Sequence, residues 1–367
     1  MKKTFAAVIS ATLLAQSLFL GGCGKKNDAA DYPVPELVGT TLNVFNWGEY
    51  ISDGGEGSLD VNAEFERRTG IKVNYLNYDS NESMYAKLKS GAVSYDIIIP
   101  SDYMISRLIS EDMLSKIDVT KLENYKYIDD KYKNLYFDEN NEYSVPYNVG
   151  MVGLIYNKTM VKEAPDSWSV MWDERYKDDI LTFNNSRDAF AIAQFLLGMD
   201  VNTTDKADWD RVLEKMLEQA PILQGKVMDE VFDKMEGGNA AIAPYYAGDF
   251  LTMKENNDDL EFVYPKEGVN IFVDSICVPK SCQNYDAAML YIDFLTDPEI
   301  ALANAEYIMY ASPNTGVINS DDYSLKGNEI LYLAEDKMPK TQYFHDIDPD
   351  TRSYYESLWE QFVRAMD

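Results

Sequence analysis

The stretch "NVFNWGEY", Asn43 to Tyr50, ends a β-prone run by setting two large rings, Trp47 and Tyr50, on either side of a carboxylate, Glu49. The same two ingredients return after other apolar runs. Ser101, Asp102 and Tyr103 follow "YDIIIP", Asn185 and Asp188 follow "DILTF", and Tyr245, Tyr246 and Asp249 follow "NAAIAP". Rings and carboxylates together suit a positively charged organic ligand. An ammonium gains about 0.5–2 kcal/mol over an aromatic face, a carboxylate fixes it by a charge-assisted hydrogen bond, and the rings cover an alkyl chain. The chemistry expected is capture of an amine with more than one charge and methylenes between them.

Each residue also has a plainer use. Asp188 falls in the first turn of an expected helix, where the dipole favours acids whatever the function. Ser101 sits where an N-cap is needed, and any one of 27 tyrosines can be packing. Asp274 differs, because an acid inside "NIFVDSICV" is costly to bury unless it is paired or faces a cleft. Other motifs fail. "DGGEGS", Asp53 to Ser58, lacks the lysine and spacing of a phosphate loop. "DIDPDTR", Asp346 to Arg352, has Thr351 and Ser357 where a calcium loop needs Gly and Glu, so an exposed acidic loop is expected. Zinc spacing is absent, and neither metal nor cofactor is expected. With His345 as the single histidine, the usual imidazole-based dyads and triads are excluded.

The elements that must position these groups alternate along the chain. "TLNVFN" reads as a strand and "DVNAEFERRTG" as a helix stopped by Gly70. "IKVNYL" is a second strand, "DSNESMYAKLKSG" a helix with a capping box from Asp79 to Glu82 and a stop at Gly91, and "YDIIIP" a third strand before a helix from about Ser101. Later, "DILTF" and "NAAIAPYY" lead into helices, and the strand "VNIFVDSICVP" precedes the helix "NYDAAMLYIDFLTD". Such alternation predicts an α/β protein with parallel strands, and ligands of such sheets bind beyond the strands' carboxyl ends. Two lobes are expected, joined by two extended crossings near residues 145–155 and 268–278.

The N-terminus carries a lysine-rich start, an uncharged run from Thr4 to Gly24, and "LGGC" ending at Cys23. This predicts a secretory signal segment over 1–22, lipidation of Cys23, and a tether over 23–40 that anchors an extracytoplasmic protein to the outer or periplasmic face of a bacterial cell membrane. Acidic residues outnumber basic ones 62 to 33, which repels nucleic acid and favours cations. Cys277 and Cys282 are read as buried or free thiols, with a bridge the lesser alternative.

Together, "NVFNWGEYI", "YDSNESMYAKLKSG", "YDIIIPSDYM", "YSVPYNVGMVGLIYNK" and "FVDSICVPK" resemble the polyamine-binding proteins, for spermidine and putrescine, of ABC importers, over about Thr41 to past Pro313. The resemblance implies a type II, two-lobed periplasmic-binding-protein-like fold with the ligand cleft between the lobes. It divides the chain into lobe 1 (41–148 plus 274–319) and lobe 2 (149–273 plus 320–367). It further implies a monomer without catalytic activity whose partners are a polyamine and an ABC permease. Carried over, the family's ligand contacts fall on Trp47, Glu49, Tyr50, Ser101, Tyr103, Asn185, Asp188, Tyr245, Phe272, Asp274 and Tyr310. Asn185 is an acid in spermidine-binding relatives, and Tyr245 and Phe272 stand at or near family tryptophans, which leaves the choice of polyamine open. "SDGGEGS" lengthens the loop after Tyr50 by six residues and is read as a neutral surface insertion. A binding protein for an amino acid, a thiamine-like cation or a sugar is the neighbouring reading, and an extracellular hydrolase using paired carboxylates a distant one.

Overall fold

The computed structural model describes residues 34–366. The expected signal segment and lipidated Cys23 lie outside the described residues.

The chain opens with β1 (Thr41–Trp47), α1 (Val61–Thr69), β2 (Lys72–Tyr78), α2 (Asn81–Ser90), the two-residue β3 (Ile97–Ile98) and α3 (Asp102–Ser110). Local chemistry sets these boundaries. Asp60 accepts from the Ala63 N–H at the start of α1, and Gly70, at φ 72°, ends it. The capping box expected at Asp79 is displaced by one residue: Ser80 is the N-cap of α2, accepting from the Ser83 N–H, and Glu82 turns away to accept from the Tyr103 hydroxyl at 2.9 Å. Ser101 stands at the N-cap position of α3 but makes no capping hydrogen bond; its hydroxyl accepts from Asn81 Nδ2 at 3.1 Å.

A long strand, β4 (Ser144–Asn157), then carries the chain to a second α/β unit. That unit contains β5 (Ile180–Phe183), α4 (Ser186–Leu196), α5 (Lys206–Gln219), β6 (Leu223–Val227), α6 (Glu230–Glu236), β7 (Ile242–Tyr246), α7 (Ala247–Asn256) and β8 (Leu260–Val263). The return strand is β9 (Val269–Cys277), followed by α8 (Tyr285–Leu295), α9 (Pro298–Ile308), α10 (Thr315–Ile318), β10 (Thr341–Gln342) and α11 (Pro349–Met366).

Strand order along the sheet is β2-β1-β3-β9-β4-β7-β5-β6. Each lobe therefore has three parallel strands with a crossing strand against them, antiparallel to β3 in one lobe and to β7 in the other. The crossings β4 and β9 pair with each other, antiparallel, from Ser144↔Cys277 to Met151↔Ile271, with a register shift between Pro146 and Asn148. One apolar core gathers residues from Met151 to Val269 and from Phe344 to Phe362. Two others draw on Leu42 to Val149 and Phe272 to Ala311. After α10 the chain stays beside the first lobe, where Tyr323 packs with Ala305 and Val317, before β10 pairs with β9 and α11 docks on α5.

Two expectations need correction or detail here. "DIDPDTR" is not a loop along its length but the start of α11: Asp348 accepts from the Asp350 and Thr351 N–H groups, and Asp346 pairs with Arg352 at 2.8 Å. The insertion after Tyr50 docks on α9, its Asp53 accepting from the Tyr307 hydroxyl at 2.9 Å. Cys277 and Cys282 are free thiols. Among the described residues no helix is long and apolar enough to cross a membrane.

Candidate functional site

Between the lobes lies a cleft of about 850 Å³, open mouth included, and all eleven candidate site residues line it. Its walls carry eight carboxylates, from Glu49, Asp79, Glu82, Asp102, Asp188, Asp229, Asp249 and Asp274, against one guanidinium, Arg187. That imbalance, inside a protein whose interior raises the effective strength of every charge, favours a cation over an anion in the cleft.

Tyrosines organise the acids. Tyr50 donates to Asp274 Oδ2 at 2.6 Å, Tyr103 to Glu82, Tyr246 to Asp188 Oδ2 at 2.8 Å and Tyr310 to Asp249 Oδ2 at 3.0 Å. Each ring thus serves as wall while its hydroxyl holds one carboxylate oxygen. Asn185 caps α4 by accepting from the Asp188 N–H and returns its own Nδ2–H to Asp188 Oδ2, both at 2.8 Å. Its polar atoms are thereby engaged in holding Asp188.

Asp274 is the most isolated of these acids. It is 3% exposed, sits mid-strand in β9 opposite Asn148, and its Oδ1 is buried with no hydrogen-bond partner. Burial pushes its pKa up to about 6, against the opposing pull of the Tyr50 and Ser101 hydroxyls. Burial also lifts Asp249 to about 8, with Asp229 and Glu49 adding to the rise and Tyr310 opposing it. Asp188 is raised by burial, opposed by Asn185 and Tyr246, and Asp229 by burial and then Glu230 and Asp79. Glu49, exposed at the rim with φ 36°, is raised by partial loss of hydration and by Asp229 and Asp53. Every one of these shifts is upward, with burial the leading cause in each.

The rings are set by specific contacts. Trp47 donates its indole N–H to the Ile99 carbonyl at 2.9 Å and packs on Tyr78 at 4.7 Å; Tyr78 donates to the same carbonyl, which lies just past the end of β3. Phe272 lies flat on Gly150, where a Cβ would come within 2.2 Å of its ring. Of the adjacent tyrosines, Tyr245 is 1% exposed and stacks on Phe183, whereas Tyr246 is half-buried and meets Phe272 edge-on at 5.4 Å. Tyr246 is therefore the more available ring of the pair.

Several lining residues were not among the eleven. Tyr246 and Asp249 carry the same strand-end signal as Tyr245. Asp229 follows β6, whose short polar sequence "LQGKV" hides a strand. Glu82 was read as a helix cap. Phe344 arrives from the C-terminal segment, edge-on to Tyr103 at 6.0 Å, with no local signature at all.

The chain matches the family model for bacterial extracellular solute-binding proteins over residues 61–329. It is 31% identical over 325 residues to the spermidine/putrescine-binding periplasmic protein of Salmonella typhimurium, covering 88% of this chain and 91% of that one. A solved structure described as a candidate spermidine/putrescine ABC transporter from Listeria monocytogenes superposes with TM-score 0.84 at 35% identity, over 88% of this chain and 99% of the other. The spermidine/putrescine ABC transporter substrate-binding protein PotD from Streptococcus pneumoniae gives TM-score 0.74 at 33% identity, over 89% and 100%.

Proposed function

This chain belongs to the bacterial extracellular solute-binding proteins, and from that premise we propose that it captures polyamines, putrescine or spermidine, outside the cytoplasm and delivers them to an ABC permease. The observation that carries this reading is the cleft of eight carboxylates against one arginine, interleaved with tyrosine, tryptophan and phenylalanine rings. The names of its relatives, which are spermidine/putrescine-binding proteins, support the same ligand class.

In this reading ammonium groups enter beside Asp274, Asp188 and Asp249, whose raised pKa values fall back toward the ordinary carboxylate range as positive charge arrives. Methylenes pack against Trp47, Tyr50, Tyr246, Phe272 and Tyr310, while Ser101, Tyr103 and Tyr245 complete the walls. Glu49 attracts the ligand from the rim, and Asn185 acts through Asp188. Ligand held by both lobes draws them together, and the closed form is what the permease recognises. Binding needs no turnover and no second subunit, since one chain supplies both walls. The "LGGC" pattern ending at Cys23 supports anchorage to the membrane by a lipid.

Calorimetry with putrescine and spermidine tests the reading directly. The expected outcome is saturable 1:1 binding of at least one of them, weakened by salt; no heat from either up to millimolar concentration overturns the ligand assignment and leaves the fold untouched.

A further inference from the structure

Tyr310 belongs to the first lobe. Its ring sits in that lobe's core at 4% exposure, edge-on to Tyr50 at 5.2 Å. Its neighbour Ala311 is tied to the crossing strand, the Val149 N–H donating to the Ala311 carbonyl at 2.9 Å. Asp249 and Gly248 belong to the second lobe, in the first turn of α7. Yet the Tyr310 hydroxyl donates to Asp249 Oδ2 at 3.0 Å, and its ring lies on Gly248 so closely that a Cβ there would stand 2.1, 2.4 and 2.7 Å from three ring carbons. Side chains do not tolerate such distances, and this ring is walled by Tyr50 and anchored through Ala311 to β4. Glycine at 248 is thus what allows the lobes to meet at this point.

We propose that Tyr310 and Gly248 form a clasp between the lobes that holds Asp249 in its ligand-facing orientation and sets how long a bound amine is retained. Tyr310 is a positioning residue here: ring contact with Gly248 brings α7 up to the first lobe, and the hydroxyl then fixes one oxygen of Asp249 and leaves the other for the ligand. The retention part rests on the polyamine reading; the contact between lobes does not. A clasp made only when the lobes meet acts on the escape of ligand, so its removal raises the dissociation rate more than it lowers the association rate.

The test combines small-angle scattering, without ligand and with putrescine or spermidine, and stopped-flow dissociation of whichever polyamine binds. Gly248→Ala is expected to leave the protein more extended than the parent in the condition where the parent is most compact. It should also speed dissociation by about tenfold or more, as loss of a well-placed closing contact does. Gly248→Ala/Tyr310→Ala, which gives the new methyl room but deletes the ring, is expected to dissociate ligand as fast as Gly248→Ala. Tyr310→Phe keeps the seat on Gly248 and loses only the hydroxyl, so it should stay compact and dissociate about threefold to tenfold faster, as for a lost hydrogen bond to a carboxylate. Should Gly248→Ala fail to fold, parent-like dissociation from Tyr310→Phe overturns the proposal on its own. Scattering of Gly248→Ala equal to the parent's in every condition also overturns it, whatever the polyamine titrations give. Absence of polyamine binding by the parent overturns the ligand assignment instead, and the clasp is then judged on scattering alone.

Discussion

Two carboxylates face the cleft from elements of opposite kind. Asp188 lies in the first turn of α4, where the helix dipole favours an anion, and its Oδ2 accepts from both Asn185 and Tyr246. Asp274 lies in the middle of a crossing strand, with no dipole behind it, the Tyr50 hydroxyl on Oδ2 and a weaker pull from the Ser101 hydroxyl. The protein supplies most of what Asp188 needs to stay charged. It leaves Asp274 short, so a bound ammonium changes the energy of Asp274 far more. On the proposed reading, the pre-arranged Asp188 orients a ligand and the under-supplied Asp274 gains more from its charge.

The comparison can be broken at its strong end first. Asp274→Asn is expected to weaken polyamine binding roughly tenfold to a hundredfold, the range for removing a charged hydrogen-bond partner in a buried site, as read by calorimetry; a change under twofold would reverse the ranking. Asp188→Asn should cost less, about threefold to tenfold, because the helix terminus and its donors favour the anion before ligand arrives. A gentler cut separates the supporting hydroxyls: Tyr50→Phe removes the stronger of two hydroxyl donors to Asp274 and should weaken binding about fivefold, while Tyr246→Phe leaves Asn185 on Asp188 and should cost about twofold. Equal effects would show that the two acids are supported alike.

The smallest expected effect is on stability against pH. Asp274 is lifted to about 6 and Asp249 to about 8, above the ordinary carboxylate value of about 3.9. The folded state therefore binds more protons than the unfolded one between these values. The stability this linkage contributes is complete below about pH 4 and lost as pH rises through 6 and then 8. The ligand-free melting temperature should fall by several degrees between pH 5 and 8.5 on this account. Asp249→Asn should flatten the upper part of that fall and Asp274→Asn the lower. Differential scanning fluorimetry across pH checks this, and a parent profile identical to that of Asp249→Asn would remove Asp249 from the explanation.

Much of this cleft was legible in the sequence because its signals are local. Strand ends bearing rings and acids, Gly70 and Gly91 closing helices, and the acid inside "NIFVDSICV" are each readable within ten residues, and the two crossings followed from strand material returning late. What escaped was fixed by distant partners. Glu82 fits a capping pattern until Tyr103 competes for it. Phe344 reaches the cleft because its segment is held from far away, Asn202 donating to the Tyr343 carbonyl at 2.8 Å. The start of α11 was mistaken for a loop because its acids suggested solvent, although Asp348 followed by Pro349 is also a helix-opening pair.

The pairing of β4 with β9 has a mechanical consequence. Two strands hydrogen-bonded side by side bend as one ribbon, so the lobes do not swing on independent strings but rotate about a single axle. Asp274 lies on that ribbon, whereas Glu49 and Asp229 lie in loops beyond the ends of β1 and β6. A ligand charge seated on the axle needs only a small displacement there to be felt as a large one at the rim, which is the leverage a permease would have to feel.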